Sequence, residues 1–307
     1  MNISVIFPTY QRVNDLRVAL DSLLEQTLLP YEVIVVDQSD DDETKKLCFE
    51  TKYKELNINY IYSDCKSPPK AKQIWMENIS NDSEIMIFFD DDVKLDSRYL
   101  EEVSSFMSDN TTALWGWWLI LNLPHKKSFI EDLWYKLFRT PKISHEFCTT
   151  DAQYKDSEKT QNVLSIIWCN MFFRSNLSKK YSFVDWMRRY WHADDTFFTY
   201  QISKDNPNSL YYIPSAKLYH FESPAWRILK TQKFNQVLYH RYIFWKKYSF
   251  SMLTYYWWSF GFLIWTLLKS DNKFQVIKEY FKTLRIIWKY WKEFQANPIK
   301  VNDFIYN

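Results

Sequence analysis

Over residues 3–89 the apolar positions fall into two alternating patterns. Short, nearly continuous runs at Ile3–Phe7, Glu32–Val36, Ile58–Tyr62 and Glu84–Phe89 read as strands. EVIVV and EIMIFF are almost unbroken, as in strands buried on both faces of a parallel sheet. Between them, Asp15–Gln26 places Leu16, Leu20, Leu23 and Leu24 on one helical face, with Asp15 as candidate N-cap. Asp41–Lys54 and Lys70–Asn78 read as further helices. Strands alternating with helices predict an α/β fold with parallel pairing and right-handed crossovers. Ligands of such sheets sit beyond the carboxyl ends of the strands, where Asp37 and Asp90–Asp92 fall.

Past Phe89 the pattern loosens. Ala113–Leu121 and Val163–Phe173 read as strands, and the polar stretch between them as a loop-rich insertion over the site. Phe183–Ile202 reads as a turn leading into a helix, with Asp194 and Asp195 near its start. Leu210–Pro214 and Lys217–Tyr219 read as two short strands, followed by His220.

The last 80-odd residues change character. Residues 225–307 hold 14 Lys/Arg against 4 Asp/Glu, a net of +10, while residues 1–224 carry a net of −8. An acidic body with a basic, aromatic tail suggests tethering to an anionic surface. Tyr248–Leu268 is uncharged and just long enough to span a bilayer. Its many Tyr, Trp, Ser and Thr residues favour a shallow, in-plane helix instead. Phe274–Phe294 sets Phe274, Ile277, Phe281, Leu284, Trp288 and Trp291 on one stripe, and Lys278, Lys282, Arg285, Lys289 and Lys292 on the polar side. That is the composition of an interfacial helix on anionic lipid. The same stripe also suits packing on the body, or a homodimer contact. Nucleic-acid binding is not expected, since the acidic body gives it no support.

Composition narrows the chemistry. The 307 residues include only 2 Gly, which excludes Gly-rich phosphate loops. Four Cys without a CxxC pair argue against a zinc site or a disulfide framework. MNISVIFPTY lacks the features of a secretory signal. In Asp90-Asp91-Asp92, the first and third carboxylates share one side of an extended chain. Two hard oxygen donors so placed suit Mg²⁺ or Mn²⁺ bridging a diphosphate; a solvated turn capping the next helix is the other reading. Asp194 and Asp195 fit either a general base with an orienting partner or acids complementing a helix dipole. His220 alone reads as structural.

VIFPTYQRVNDLRVALDSLLEQTLLPYEVIVVDQSDDDET resembles the opening of the family 2 glycosyltransferases. The resemblance continues through PPKAKQIWMENI, SEIMIFFDDDVKLDSRYLEEV, WCNMFFR, HADDTFFTYQI and YYIPSAKLYHFESPAWR, in the family's order over roughly residues 1–245. It implies a GT-A (Rossmann-like) fold: a mostly parallel central sheet flanked by helices, here with a C-terminal helical, membrane-associating region. The expected division is a catalytic domain over 1–224 and a helical region over 225–307.

The resemblance also implies roles. Pro8, Thr9 and Tyr10 match the nucleotide loop, and Asp37 the acid that bonds the base. Asp90 and Asp92 match the outer residues of the DxD motif, with Asp91 between them. Lys72 stands where many members have Arg and is a candidate phosphate partner. Asp195 matches the catalytic base, Asp194 its acidic neighbour, and His220 a His near the metal or diphosphate.

The function implied is inverting transfer from a UDP-, GDP- or dTDP-sugar, with Mn²⁺ or Mg²⁺. The expected acceptor is a lipid-linked or membrane-proximal glycan of bacterial surface polysaccharide, and the expected location the cytoplasmic face of the membrane. The chain departs from the family pattern at KAKQIWM, which lacks the usual Gly, at Ala193 and at Asp194. These losses leave a catalytically silent scaffold with the same fold as the alternative.

Overall fold

The computed structural model describes residues 1–64, 68–111, 113–120, 129–138, 159–162, 170–183, 194–221 and 230–306. A sheet of nine strands forms the centre, in the order β3-β2-β1-β4-β8-β6-β9-β5, with β7 against β9. The strands are β1 Ile3–Thr9, β2 Glu32–Asp37, β3 Ile58–Tyr62, β4 Ile85–Phe89, β5 Val93–Leu95, β6 Trp115–Ile120, β7 Gln161–Asn162, β8 Asn170–Arg174 and β9 Leu210–His220. The first four are mutually parallel, as their apolar runs predict. β8 then runs antiparallel to β4, and the remaining half of the sheet is mixed.

β1, β2 and β4 are nearly continuous core: Val5, Ile6, Phe7, Val33–Val36 and Ile85–Phe89 are fully buried. Phe88 lies in a cage of rings, with centroids 5.6 Å from Trp75, 5.7 Å from Phe173 and 6.2 Å from Phe183. Truncating such a ring to alanine costs about 3–5 kcal/mol.

Several boundaries differ from the sequence expectation, each for a local reason. Helix α1 spans Val13–Leu24 and begins after Arg12, so Asp15 lies in its first turn, where it complements the dipole rather than capping. The helix expected over Asp41–Lys54 is a short α2, Glu43–Cys48, followed by a 3-10 turn over Thr51–Leu56. The tighter turn buries Tyr53 and Leu56 together. The two short strands around Pro214 are one strand, β9. A register shift opposite Trp118/Leu119 passes over residues 214–216, so Pro214 needs no ladder bond there.

Helices α3 (Pro68–Asn78) and α6 (Asp194–Asp205) lie where helices were expected. Two more were not anticipated. Tyr99–Asp109 forms α4, and Phe129–Phe138 forms α5 inside the stretch read as loop-rich.

The C-terminal region is a helical bundle: α7 Lys230–Lys247, α8 Met252–Lys269, α9 Lys273–Ala296 and α10 Val301–Tyr306. Among the described residues no helix is long and apolar enough to cross a membrane. The bundle has its own apolar cluster, including Tyr239, Trp245, Tyr255, Trp258, Ile287 and Phe294. The cluster takes in Phe197 of α6, whereas the adjacent Phe198 belongs to the core of the sheet. Helix α6 therefore joins the two cores.

Helix α9 has two apolar faces. Tyr280, Thr283, Ile287 and Phe294 are buried against the bundle. The stripe read from the sequence is the other face: Phe274 is 78% exposed, Phe281 62% and Trp288 77%, and Leu284 is half-buried. Helix α5 adds Phe129, Ile130, Leu133 and Leu137 to the exposed apolar surface, and α8 adds Leu253, Trp257 and Phe260. The α5–α8 contact is held by the Trp134 indole N–H, which donates to the Gly261 carbonyl at 2.7 Å, and by that of Trp257, which donates to Leu137 at 3.0 Å.

Candidate active site

The carboxyl ends of β1, β2 and β4 meet the end of β9 at one edge of the sheet. Thr9 stands beside Asp37 in the parallel register of β1 and β2. Beyond β4 the chain turns through Asp90–Asp92 and enters β5, whose Val93 pairs with His220 at the end of β9. The Phe221 N–H donates to the Asp92 carbonyl at 2.9 Å, fastening the two segments.

This pairing brings three donor groups together. The His220 Nε2 lies 3.1 Å from Asp92 Oδ1 and 3.6 Å from Asp90 Oδ2. One ligand atom from each residue falls within 4.8 Å of the others. Two donors each about 2.1 Å from an octahedral cation lie about 3 Å apart, so the spacing fits Mg²⁺ or Mn²⁺. The donor set, two carboxylates and an imidazole, favours Mn²⁺ as much as Mg²⁺. Asp90 and Asp92 do share a side, as the sequence predicts, but a turn rather than an extended chain puts them there.

Asp91 points the other way. It is buried, and it accepts from the Thr9 hydroxyl at 2.9 Å and from the Arg12 guanidinium at 3.0 Å. Arg12 also lies 3.7 Å from Asp92. Burial pushes the Asp91 carboxyl up to about 7; Arg12 pulls against that rise and Asp92 adds to it. For Arg12, burial is the largest effect and works against the charge, but Asp91, Asp92 and Asp90 together outweigh it and raise the guanidinium above its ordinary value. The Asp91–Arg12–Thr9 clamp thus ties the acidic turn to the end of β1 and the start of α1. Sequence reasoning missed Arg12. Its position directly before the first helix, facing a run of three aspartates, was the available signal.

Asp37 is fully buried. One of its carboxylate oxygens accepts from the Ser39 N–H at 2.9 Å, the other from the Tyr60 hydroxyl at 2.8 Å. Tyr60 was not singled out in the sequence. Tyr10 extends over the same edge, its hydroxyl 3.2 Å from Asp40, which also receives the Gln11 side-chain amide at 3.3 Å. Gln11 takes a positive φ of 51° in this loop, and its N–H donates to the Ser39 hydroxyl at 2.8 Å. Pro8 is half-buried at the end of β1.

Lys72 is buried on α3, its ammonium 5.4 Å from the Phe183 ring centroid. Phe183 in turn stacks on Phe198 of α6 at 4.1 Å. Asp194 and Asp195 open α6; their side chains lie outside the described residues. The structure thus joins Asp90 and Asp92 to His220, and Asp91 to Thr9 and Arg12, with Asp37 beside Thr9 in the sheet and Tyr10 in the adjoining loop. Lys72 stands beside the helix that Asp194 and Asp195 begin.

Comparison with known proteins bears on the fold and the family. The crystal structure of S. aureus TarS 1-349 in complex with UDP-GlcNAc superposes with a TM-score of 0.55 at 16% identity, covering 96% of this chain and 93% of that one. At that identity the likeness shows the fold. Glycosyltransferase GlyA of Streptococcus pneumoniae serotype 4 is 30% identical over 99 residues, 32% of this chain and 14% of GlyA. The minor teichoic acid biosynthesis protein GgaA of Bacillus subtilis is 28% identical over 112 residues, 35% of this chain and 25% of GgaA. The matches thus span a quarter or less of these curated relatives. The model of glycosyl transferase family 2 matches residues 4–182, more than half of the chain. On that match, and on the fold that bears it out, the chain belongs to glycosyl transferase family 2.

Proposed function

We propose that the protein is a metal-dependent, inverting glycosyltransferase that moves a sugar from a nucleotide-diphospho-sugar to a glycan hydroxyl at a membrane surface. The convergence of Asp90, Asp92 and His220 at the carboxyl edge of the parallel strands carries this reading. Those three residues would hold a divalent cation, whose contribution is to stabilise charge on the leaving diphosphate.

The chain's own residues do the rest. Pro8, Thr9 and Tyr10 line the nucleotide, and Asp37, braced by Tyr60 and Ser39, sits at the base end. Lys72 faces phosphate. Asp195 takes the acceptor hydroxyl proton as the oxygen attacks the anomeric carbon, and Asp194 orients it. The bond from that carbon to the diphosphate oxygen breaks with its electron pair leaving on the diphosphate. A single displacement inverts the anomeric centre.

A UDP-sugar is the preferred donor class, because TarS was crystallised with UDP-GlcNAc. The relation to GgaA supports a bacterial cell-wall or surface polymer as product. Residues 1–224 form the catalytic domain. Residues 225–307 dock on the cytoplasmic face of the membrane, through the exposed stripe of α9 and its lysines, which places the site near lipid-linked acceptors.

The test is nucleoside diphosphate release from UDP-, GDP- and dTDP-sugars, with lipid-linked glycan extract as acceptor, in Mn²⁺ and in EDTA. Metal-dependent turnover of one donor, lost in Asp195→Asn, is expected. No turnover by folded protein across the panel would overturn the proposal.

A further inference from the structure

Helices α7, α8 and α9 enclose a cleft of about 170 Å³ lined by Tyr242, Lys246, Met252, Tyr256, Ile287, Trp288 and Trp291. It lies in the bundle, apart from the acidic site, and nothing in the proposed reaction uses it. Its lining is aromatic and aliphatic with a single charged residue, Lys246. The Lys246 and Lys292 ammonium groups each lie 5.5 Å from the centroid of the Trp291 ring. Lys246, on α7, thus reaches the Trp291 indole that lines the cleft.

Among the described residues the cleft lining includes no acid, and Glu293, next in sequence to Lys292, accepts from Lys300 at 2.8 Å. An anion in the cleft would pair with Lys246, and the rings beside it offer apolar contact. Helix α9 departs from helical geometry at Tyr290, whose ring packs on Phe304 at 5.0 Å. The break lies between Trp288 and Trp291, and both line the cleft. Trp288 is mostly exposed, so its indole is free to enter a headgroup layer.

We propose that this cleft is a phospholipid site: Lys246 holds the headgroup phosphate of an anionic membrane lipid, while Trp288, Trp291 and Tyr256 seat in the interface around it. The site rests on the membrane-docking reading above and sharpens it from a diffuse basic face to one seated headgroup. Charge complementarity commits it to an anionic lipid rather than a neutral glycan. The region is strongly basic, and the cleft's single charged residue is a lysine.

The test is co-sedimentation of the full chain with phosphatidylcholine vesicles, with and without phosphatidylglycerol. Diffuse attraction is worth about fivefold in binding per lysine. A seated phosphate adds a charge-assisted hydrogen bond, so Lys246→Gln should weaken binding to the phosphatidylglycerol vesicles about fiftyfold, against about fivefold for Lys278→Gln. Lys246→Arg should restore most of it. Trp288→Ala, at an exposed position that the fold does not need, should also lose several-fold. Equal losses for Lys246→Gln and Lys278→Gln would overturn the site and leave the diffuse reading standing. Wild-type protein that ignores phosphatidylglycerol vesicles would overturn both.

Discussion

Replacing Arg12 with methionine keeps most of the side chain's volume and removes the guanidinium that faces Asp91. In the wild type, Asp91 is buried and accepts from Arg12 at 3.0 Å and Thr9 at 2.9 Å. After the change, the carboxyl keeps the Thr9 hydroxyl, but without the cation it rises further above its present value of about 7 and binds a proton at neutral pH, so a charge is stranded only in alkaline buffer. Breaking a buried pair from one side costs about 3–5 kcal/mol. Because the Arg12 side chain retains 19% of its exposure, water softens the loss, and we expect about 3 kcal/mol at alkaline pH, the lower end of that range, with a smaller loss at neutral pH where Asp91 binds a proton. In the same alkaline buffer, adding Asp91→Asn to Arg12→Met removes the stranded charge, so the double variant should be more stable than Arg12→Met alone by about 1–2 kcal/mol. Urea unfolding followed by tryptophan fluorescence reads both steps. A single variant within about 0.5 kcal/mol of wild type, or a double variant less stable than the single, would refute the clamp.

Gly261→Ala should destabilise by about 1–3 kcal/mol, because a Cβ there runs into the Phe138 ring and pushes α5 off α8; thermal melting and protease sensitivity of residues 129–138 check it. Asp195→Asn should leave donor affinity within a few-fold of wild type and abolish turnover, and a normal rate would end its candidacy as base. Phe274→Ser with Phe281→Ser, both exposed, should leave the melting temperature unchanged and lower vesicle binding in the co-sedimentation assay; unchanged binding would remove the stripe from the docking face. Deleting residues 249–307 is not an equivalent test, since α8–α10 cover Phe234, Tyr239 and Trp245 of α7 and their loss would expose that core.

The parallel half of the fold was legible because its strands are buried on both faces, and unbroken apolar runs such as EVIVV fit few other structures. The edge strand β5 has three residues, VKL, too short to carry a period. It exists because β9 offers it a partner, and that pairing is what brings His220 to Asp92. So the metal candidates could be named from the sequence, while the reason they meet is tertiary. Arg12 and Tyr60 escaped notice on the same ground: each acts through a carboxylate far away in sequence, Asp91 and Asp37. Periodicity in Phe274–Phe294 found one apolar stripe of α9. The stripe that packs, through Tyr280, Thr283, Ile287 and Phe294, mixes polar and apolar residues and carried no clean pattern. Helix α5 was hidden by the polar residues around it, although Phe129–Phe138 is itself largely apolar.

If Asp90, Asp92 and His220 hold a cation that helps bind a nucleotide-sugar, donor binding depends on metal. Calorimetric titration of the full chain with UDP-GlcNAc, in Mn²⁺ and again in EDTA, reads that dependence when repeated on Asp92→Ala. The wild type should bind in Mn²⁺ and lose binding in EDTA, and the variant should show no metal-dependent binding. Equal affinity with and without metal, or a variant that binds as the wild type does, would remove the cation from the site.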